Sequence, residues 1–349
     1  LSHQGPYRSV FERYHIVPED FLASTLLADL SQEPPSIRRL VRWVLRTLFR
    51  LLRISGISTH NLFFHNARRC IEQQGFDVVV AFQEGTVTDF VAPLGVSRKL
   101  AWIHSDYANY LTLAEKKPEL TMYSRFEGIV CVSEFTASRF RELLPGLNSR
   151  VEVINNVMGQ ESIRHQAMQP AVHPLFVKEG YTLISVGRLD PVKRFAHIPA
   201  IAAQLKSSGL KFRWFIIGSG PERENIAKLQ NDFGVTDCVV MLGELNNPYT
   251  IMAASDVLIS LSESEACPMG VQEAKILGVP VLSTDYGSAK EFVIEGEGGC
   301  VVKLNGLTGK LTEWLSNRDT IAGLKDEIAS YHFDQQRIVD QLLELMRSR

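Results

Sequence analysis

A chain of 349 residues with 45% hydrophobic and 22% charged side chains is long and apolar enough to bury two ordinary cores. Lysine and arginine number 37 against 39 acids, a balance that offers no support for a general nucleic-acid binder, so no nucleic-acid partner is expected. No apolar run reaches the roughly 18 residues that a membrane helix needs, and no charged-then-apolar signal segment opens the chain. Cys70, Cys131, Cys238, Cys267 and Cys300 are scattered without a C-x-x-C, which suits free thiols in a reducing compartment and points to a cytoplasmic location.

The first patterned stretch is IRRLVRWVLRTLFRLLRI, residues 37 to 54, with six arginines and no acid. At about 100° per residue these arginines share an arc of roughly 120° on one helix face, and the rest is almost wholly apolar. One reading packs Trp43, Leu48, Phe49 and Leu52 on a sheet and leaves the arginines as a solvated face. The other docks Arg39, Arg42, Arg46 and Arg50 on an anionic membrane surface, at about 1 kcal/mol per cation near the headgroups. That second reading makes the protein peripheral on the inner face of the cytoplasmic membrane.

Apolar runs then alternate with amphipathic stretches. DVVVAF (77 to 82), KLAWIH (99 to 104), GIVCVS (128 to 133) and VEVIN (151 to 155) are expected strands with helical segments between them. After a linker-like QAMQPAVHP at 166 to 174 the rhythm resumes with YTLISVG, KFRWFIIG, VVMLG, DVLISLS and VPVLST. The expected fold class is α/β, with two doubly wound parallel-sheet domains facing a cleft. Residues 1–170 and 175–330 form the two Rossmann-like domains in this reading, and 331–349 a helix that packs back toward the first. Such sheets bind ligands outside the carboxyl ends of their strands.

FIIGSGPERE, residues 215 to 224, follows a strand and is expected to open a helix at Pro221. Gly218 and Gly220 fit G-x-G, but Arg223 stands where a dinucleotide fingerprint needs its third glycine, which argues against a nicotinamide or flavin enzyme. EACPMGVQE places Glu265 and Glu273 with seven residues between them around an expected helix start. Cys267 is expected as N-cap with Pro268 at N1, leaving the N–H groups of Met269, Gly270 and Val271 at a positive helix end that can hold a diphosphate. Gly278 is expected to stop the helix. No D-x-D and no histidine cluster with ligand spacing is present, so no cofactor and no required divalent metal is expected. Taken singly, Glu265 reads as a solvated loop acid, Glu273 as an exposed helix acid, and Arg188 with Lys193 as surface charge near Asp190.

SVGRLDPVKR, FIIGSGPERE, EACPMGVQE and TDYGSAKEF, in that order and with VSEFTASRF and VINNV before them, resemble the retaining family 4 glycosyltransferases of GT-B fold. The resemblance extends over most of the chain and is weakest before residue 76. It implies a nucleotide-diphosphate sugar as donor substrate, bound by Gly187, Arg188, Lys193, Gly218, Gly220, Glu265, Met269, Gly270, Val271 and Glu273. Arg188 and Lys193 would neutralise the departing diphosphate without a metal, Glu265 would accept from sugar hydroxyls, and Glu273 from the ribose. His104 would position the reacting sugar and stabilise charge. On the acceptor side the candidates are Gln83, Glu84, Thr86 and Asp106; the plainer reading of FQEGT is a helix cap. Cys267 reads as a small packing residue.

The AFQEG and AWIHSDY stretches are similar to bacterial surface-polysaccharide glycosyltransferases, which implies a glycan or lipid-linked glycan acceptor in capsule, lipopolysaccharide O-antigen or exopolysaccharide assembly. Two departures stand out: roughly one βα unit of the first domain is missing before QGPYRSVFERY, and EACP replaces the usual glycine after the first glutamate. A nucleotide-sugar epimerase or hydrolase of the same fold remains an alternative, as does a non-catalytic sugar-nucleotide-binding membrane scaffold.

Overall fold

The computed structural model describes residues 60–170 and 173–347, together with Val44. The arginine-rich segment, with Arg39, Arg42, Arg46 and Arg50, lies outside the described residues. Among the described residues the chain divides into two compact units, 60–102 with 119–129, and 103–118 with 130–347.

Two parallel sheets form, as expected. In the first, β1 (Val79–Ala81), β2 (Lys99–Ile103), β3 (Gly128–Cys131) and β4 (Val151–Val153) lie in the order β1-β2-β3-β4. The second holds β5 (Tyr181–Val186), β6 (Phe212–Ile217), β7 (Val239–Gly243), β8 (Val257–Ser260), β9 (Val281–Thr284) and β10 (Gly299–Val302), in the order β10-β9-β8-β5-β6-β7. All its pairings are parallel. β10 has no counterpart among the expected strands, because the glycines of GEGGC read as a turn while the short GCVV run completes the sheet edge.

The strands are apolar runs because both faces of the sheet are covered by helices. Trp214 on β6 is fully buried, and its indole N–H donates to Ser185 Oγ at 3.1 Å. Ser185 in turn donates to the Ile259 carbonyl at 2.7 Å, so one satisfied polar chain crosses β6, β5 and β8 inside the core. The strand order reverses beside β5: β6 and β7 lie on one side of it, β8, β9 and β10 on the other. That switch point opens a crevice at the carboxyl ends of β5 and β8, where loops leaving in opposite directions cannot fill the space between them.

Candidate functional site

The loops that leave β5 and β8 meet at this switch point. Beyond β5, Pro191–Lys193 makes a single 3₁₀ turn and Arg194 takes a left-handed conformation, φ 55°. Beyond β8, the Glu263 N–H donates to the Val192 carbonyl at 2.8 Å, and Arg194 pairs with Glu263 at 2.8 Å. Lys193 Nζ donates to Glu265 Oε1, and Ser262 Oγ donates to the same oxygen at 2.6 Å. Both side chains of the Lys193–Glu265 pair are about four-fifths buried, 25% and 17% exposed. Arg188 is the opposite case: its side chain is 75% exposed and pairs with Asp190.

The glycines make this close approach possible. A Cβ at Gly218 would lie 1.9 Å from the Gly187 carbonyl oxygen, and one at Gly220 would lie 2.6 Å from that of Leu189. With φ 140° at Gly218, any side chain there would be strained as well as blocked. The turn after β6 is thereby held under the turn after β5, with Leu189 N–H donating to Ser219 O at 2.8 Å and Glu222 N–H to Leu189 O at 2.9 Å. The following helix begins at Arg223, two residues after Pro221.

The Met269–Ile276 helix starts one residue later than expected. Pro268, not Cys267, is its N-cap, since ψ of 93° keeps Pro268 extended and out of the helix. The N–H of Val271 donates to the Pro268 carbonyl at 3.1 Å, whereas the N–H groups of Met269 and Gly270 have no acceptor among the described residues. Two amides, rather than three, therefore face outward at this helix end. Gly278 lies just past the helix with φ 69°; its N–H donates to Lys275 O at 3.1 Å and that of Val279 to Ala274 O at 2.9 Å, a Schellman closure.

Glu273, on the second turn, accepts from the Tyr249 hydroxyl at 3.1 Å, and burial pushes its carboxyl above the usual carboxylate range. Tyr249 is itself set by Asn247, whose side chain accepts from Tyr249 N–H at 3.1 Å and donates to the Gln166 carbonyl at 2.9 Å. Cys267 is buried and accepts from Gln272 Nε2 at 3.1 Å; burial raises its thiol pKa, which suits packing better than nucleophilic attack. All five cysteines are free.

His104 follows the carboxyl end of β2 and is half-buried. Asp106 caps the Tyr107–Leu113 helix, its carboxylate accepting from Ala108 N–H at 3.1 Å with Arg139 3.8 Å away. Gln83 and Thr86 are exposed and Glu84 half-buried in the turn after β1, where Gly85 at φ 86° precedes the Thr86–Val91 helix. Thus the structure brings Lys193 to Glu265 and keeps Gly187, Gly218 and Gly220 in one turn cluster; Arg188 turns outward toward Asp190. Ser262 and Tyr249 were not singled out by the sequence, since neither a serine in SESE nor a tyrosine after NNP carries a spacing signal.

A parallel sheet with charged loops at its switch point and a helix N-terminus beside them is the architecture of a nucleotide-binding transferase half. The Anabaena protein Alr3699/HepE, solved with UDP and glucose, superposes with a TM-score of 0.66 over 84% of this chain and 83% of that one; at 18% identity this shows the shared GT-B fold. Residues 172–330 match the family model of glycosyl transferases group 1, which bears out the resemblance seen in the motifs. The lipopolysaccharide core biosynthesis glycosyltransferase LpsE of Rhizobium meliloti is 25% identical over 68% of this chain and 69% of its own. The putative colanic acid biosynthesis glycosyltransferase WcaL of Salmonella typhimurium is 27% identical over 73% of this chain and 66% of its own. The chain thus spans about two thirds of the length of these relatives.

Proposed function

We propose that the protein is a retaining, metal-independent glycosyltransferase that moves a sugar from a nucleotide-diphosphate donor to a glycan or lipid-linked glycan acceptor in bacterial surface-polysaccharide assembly. The observation that carries this reading is the Lys193–Glu265 pair at the switch point, beside the outward amides of Met269 and Gly270. UDP and glucose in the Anabaena neighbour, and the lipopolysaccharide and colanic acid names of the relatives, support the donor and pathway class.

In this reading the acceptor oxygen forms a bond to the anomeric carbon on the face that the diphosphate leaves. The carbon–oxygen bond to the diphosphate breaks, and the acceptor proton passes to a leaving phosphate oxygen, so no side-chain base is required. Arg188, Lys193 and the helix end neutralise the diphosphate, with Gly187, Gly218 and Gly220 admitting it close to backbone. Glu265 accepts from the sugar hydroxyls and Glu273 from the ribose; Val271 lies behind the two outward amides. His104 positions the sugar, while Gln83, Glu84, Thr86 and Asp106 are acceptor-side contacts. The domain limits of 170, 175 and 330 belong to the same proposal.

A panel of UDP-, GDP- and ADP-sugars, with and without bacterial lipid extract, tests the reading. Nucleotide release that depends on the extract, with label entering the lipid fraction and with turnover unchanged in excess EDTA, is the expected result. Release without acceptor would identify a hydrolase, a changed sugar without release an epimerase, and binding without turnover a scaffold. Loss of turnover in EDTA that magnesium or manganese restores would overturn metal independence. Peripheral attachment is tested separately: flotation with anionic but not neutral liposomes, weakened by salt and by changing Arg39, Arg42, Arg46 and Arg50 to glutamine, is expected. Equal flotation of the quadruple variant would remove the arginines from the proposal.

A further inference from the structure

The Glu134–Leu143 helix begins with a reciprocal cap. Ser133 Oγ accepts from Thr136 N–H at 3.2 Å, and Thr136 Oγ1 accepts from Ser133 N–H at 3.1 Å. The two remaining first-turn amides, those of Glu134 and Phe135, donate to the two oxygens of one carboxylate, Glu291, at 2.8 and 2.7 Å. Glu291 comes from the short Ala289–Phe292 helix after β9, more than 150 residues away in sequence. A carboxylate at a positive helix end, bonded twice through charge-assisted hydrogen bonds, is among the stronger polar contacts a fold can make. It also fills the place where a ligand phosphate would otherwise sit, so this helix end is not a second anion site.

The same turn makes a second contact with the same helix. A Cβ at Gly287 would lie 2.1 Å from Cε2 and Cζ of Phe135, so the phenyl ring rests directly on bare backbone. Gly287 has no positive φ; close approach alone demands the glycine. Between Gly287 and Glu291 sits Ser288, fully buried, whose Oγ donates to the Glu265 backbone carbonyl at 2.8 Å. One residue thus joins the turn to the acid that meets Lys193 and Ser262.

We propose that Phe135, Gly287 and Glu291 form a clasp that positions Glu265 through Ser288. They are positioning residues, acting on the donor sugar only through the place of Glu265, and the proposal rests on the reading of Glu265 as a donor contact. Misplacing that carboxylate by a fraction of an ångström is expected to slow the chemical step more than donor binding, because diphosphate and ribose are held elsewhere. Gly287→Ala must push the Phe135 ring away or shift the turn. Removing the ring with Phe135→Ala in the same chain makes room for the new methyl group, so the double variant should recover what the single variant lost. A simple loss of local packing would not recover on deletion of a second buried ring.

The experiment measures two things on the full chain. Hydrogen exchange followed by mass spectrometry reads peptides covering 133–136 and 261–268 in wild type, Gly287→Ala, Glu291→Gln and Gly287→Ala/Phe135→Ala. Initial rates of UDP release are taken with whichever of UDP-glucose, UDP-galactose and UDP-N-acetylglucosamine the wild type uses. Both single variants are expected to exchange faster in both peptides and to lose roughly tenfold or more in kcat with little change in donor KM, and the double variant to return toward wild type in both measures. Faster exchange at 133–136 with 261–268 unchanged would reduce the contacts to local helix support and overturn the proposal. Absence of any sugar release from wild type would count against the functional reading, while the exchange data would still decide the clasp. Should Gly287→Ala not fold, Glu291→Gln carries the same comparison.

Discussion

Lys193→Ala is expected to lower donor turnover by roughly 10²- to 10³-fold while the chain still folds, the scale seen when one preorganised charge is removed from a developing anion. The loss follows from where the ammonium sits. It is three-quarters buried at the switch point, held against Glu265 Oε1, and reached by a loop that Arg194 and Val192 fix to Glu263. Water cannot replace it at the same place without reorganising that loop. The substitution also leaves the Glu265 carboxylate with only Ser262 Oγ as a recorded side-chain donor, at 2.6 Å. A stability cost on the order of 1–3 kcal/mol is expected, between that of a surface pair and that of a fully buried one. Arg188→Ala provides the contrast. Its side chain is 75% exposed and its partner is Asp190, so turnover should fall without a measurable change in melting temperature. Combining Lys193→Ala with Glu265→Gln should cost less than the sum of the single losses in activation free energy, because the two side chains act on one bound donor. Steady-state rates and thermal melts on the same preparations check all of this, and a folded Lys193→Ala chain within about threefold of wild-type kcat/KM would remove Lys193 from the donor site.

What the sequence made legible is the part of the fold that depends on local patterning. The runs from YTLISVG to VPVLST appear as β5 to β9, because strands buried on both faces must be continuously apolar. β10 escaped because its glycines imitate a turn, and strand pairing with β9 decides the matter. The start of the Met269–Ile276 helix was misread by one residue, since a proline satisfies the N1 position and an extended N-cap equally well in φ and differs only in ψ. Motif resemblance grouped Lys193 with Glu265 as donor residues, yet their pairing with each other, 72 positions apart, has no signature in spacing. The same holds for Glu291 on the amides of Glu134 and Phe135. Contacts of that kind are set by sheet order and by loops crossing a switch point, and neither hydropathy nor periodicity encodes them.

Glu273→Gln is expected to abolish most donor turnover and yet to make the protein more stable near neutral pH. The glutamine keeps the size of the side chain and keeps an acceptor oxygen for the Tyr249 hydroxyl, which donates to Oε1 at 3.1 Å. It removes a negative charge that burial disfavours, the cause of the raised Glu273 pKa, against which the Tyr249 hydrogen bond acts in the opposite direction. The linkage sign follows. Between the unfolded carboxyl pKa and its raised folded value the native state holds more protons than the unfolded chain, so stability falls as pH rises through that window. The whole cost is present above the folded pKa, and none of it below the unfolded value of about 4.3. Thermal melts of wild type and Glu273→Gln should therefore differ most at neutral and alkaline pH, with the variant higher, and converge as pH falls into the ordinary carboxylate range. Turnover should move the other way: a charged acceptor for ribose hydroxyls is lost on protonation, so wild-type donor KM should climb as pH drops through the raised pKa, while the variant stays poor at every pH. A loss of about 10²-fold in kcat/KM is expected, the size appropriate to a charge-assisted pair of hydrogen bonds. A variant that melts below wild type at neutral pH would show that Glu273 supports the fold, and one that keeps wild-type donor KM would show that the buried carboxylate does not meet the donor.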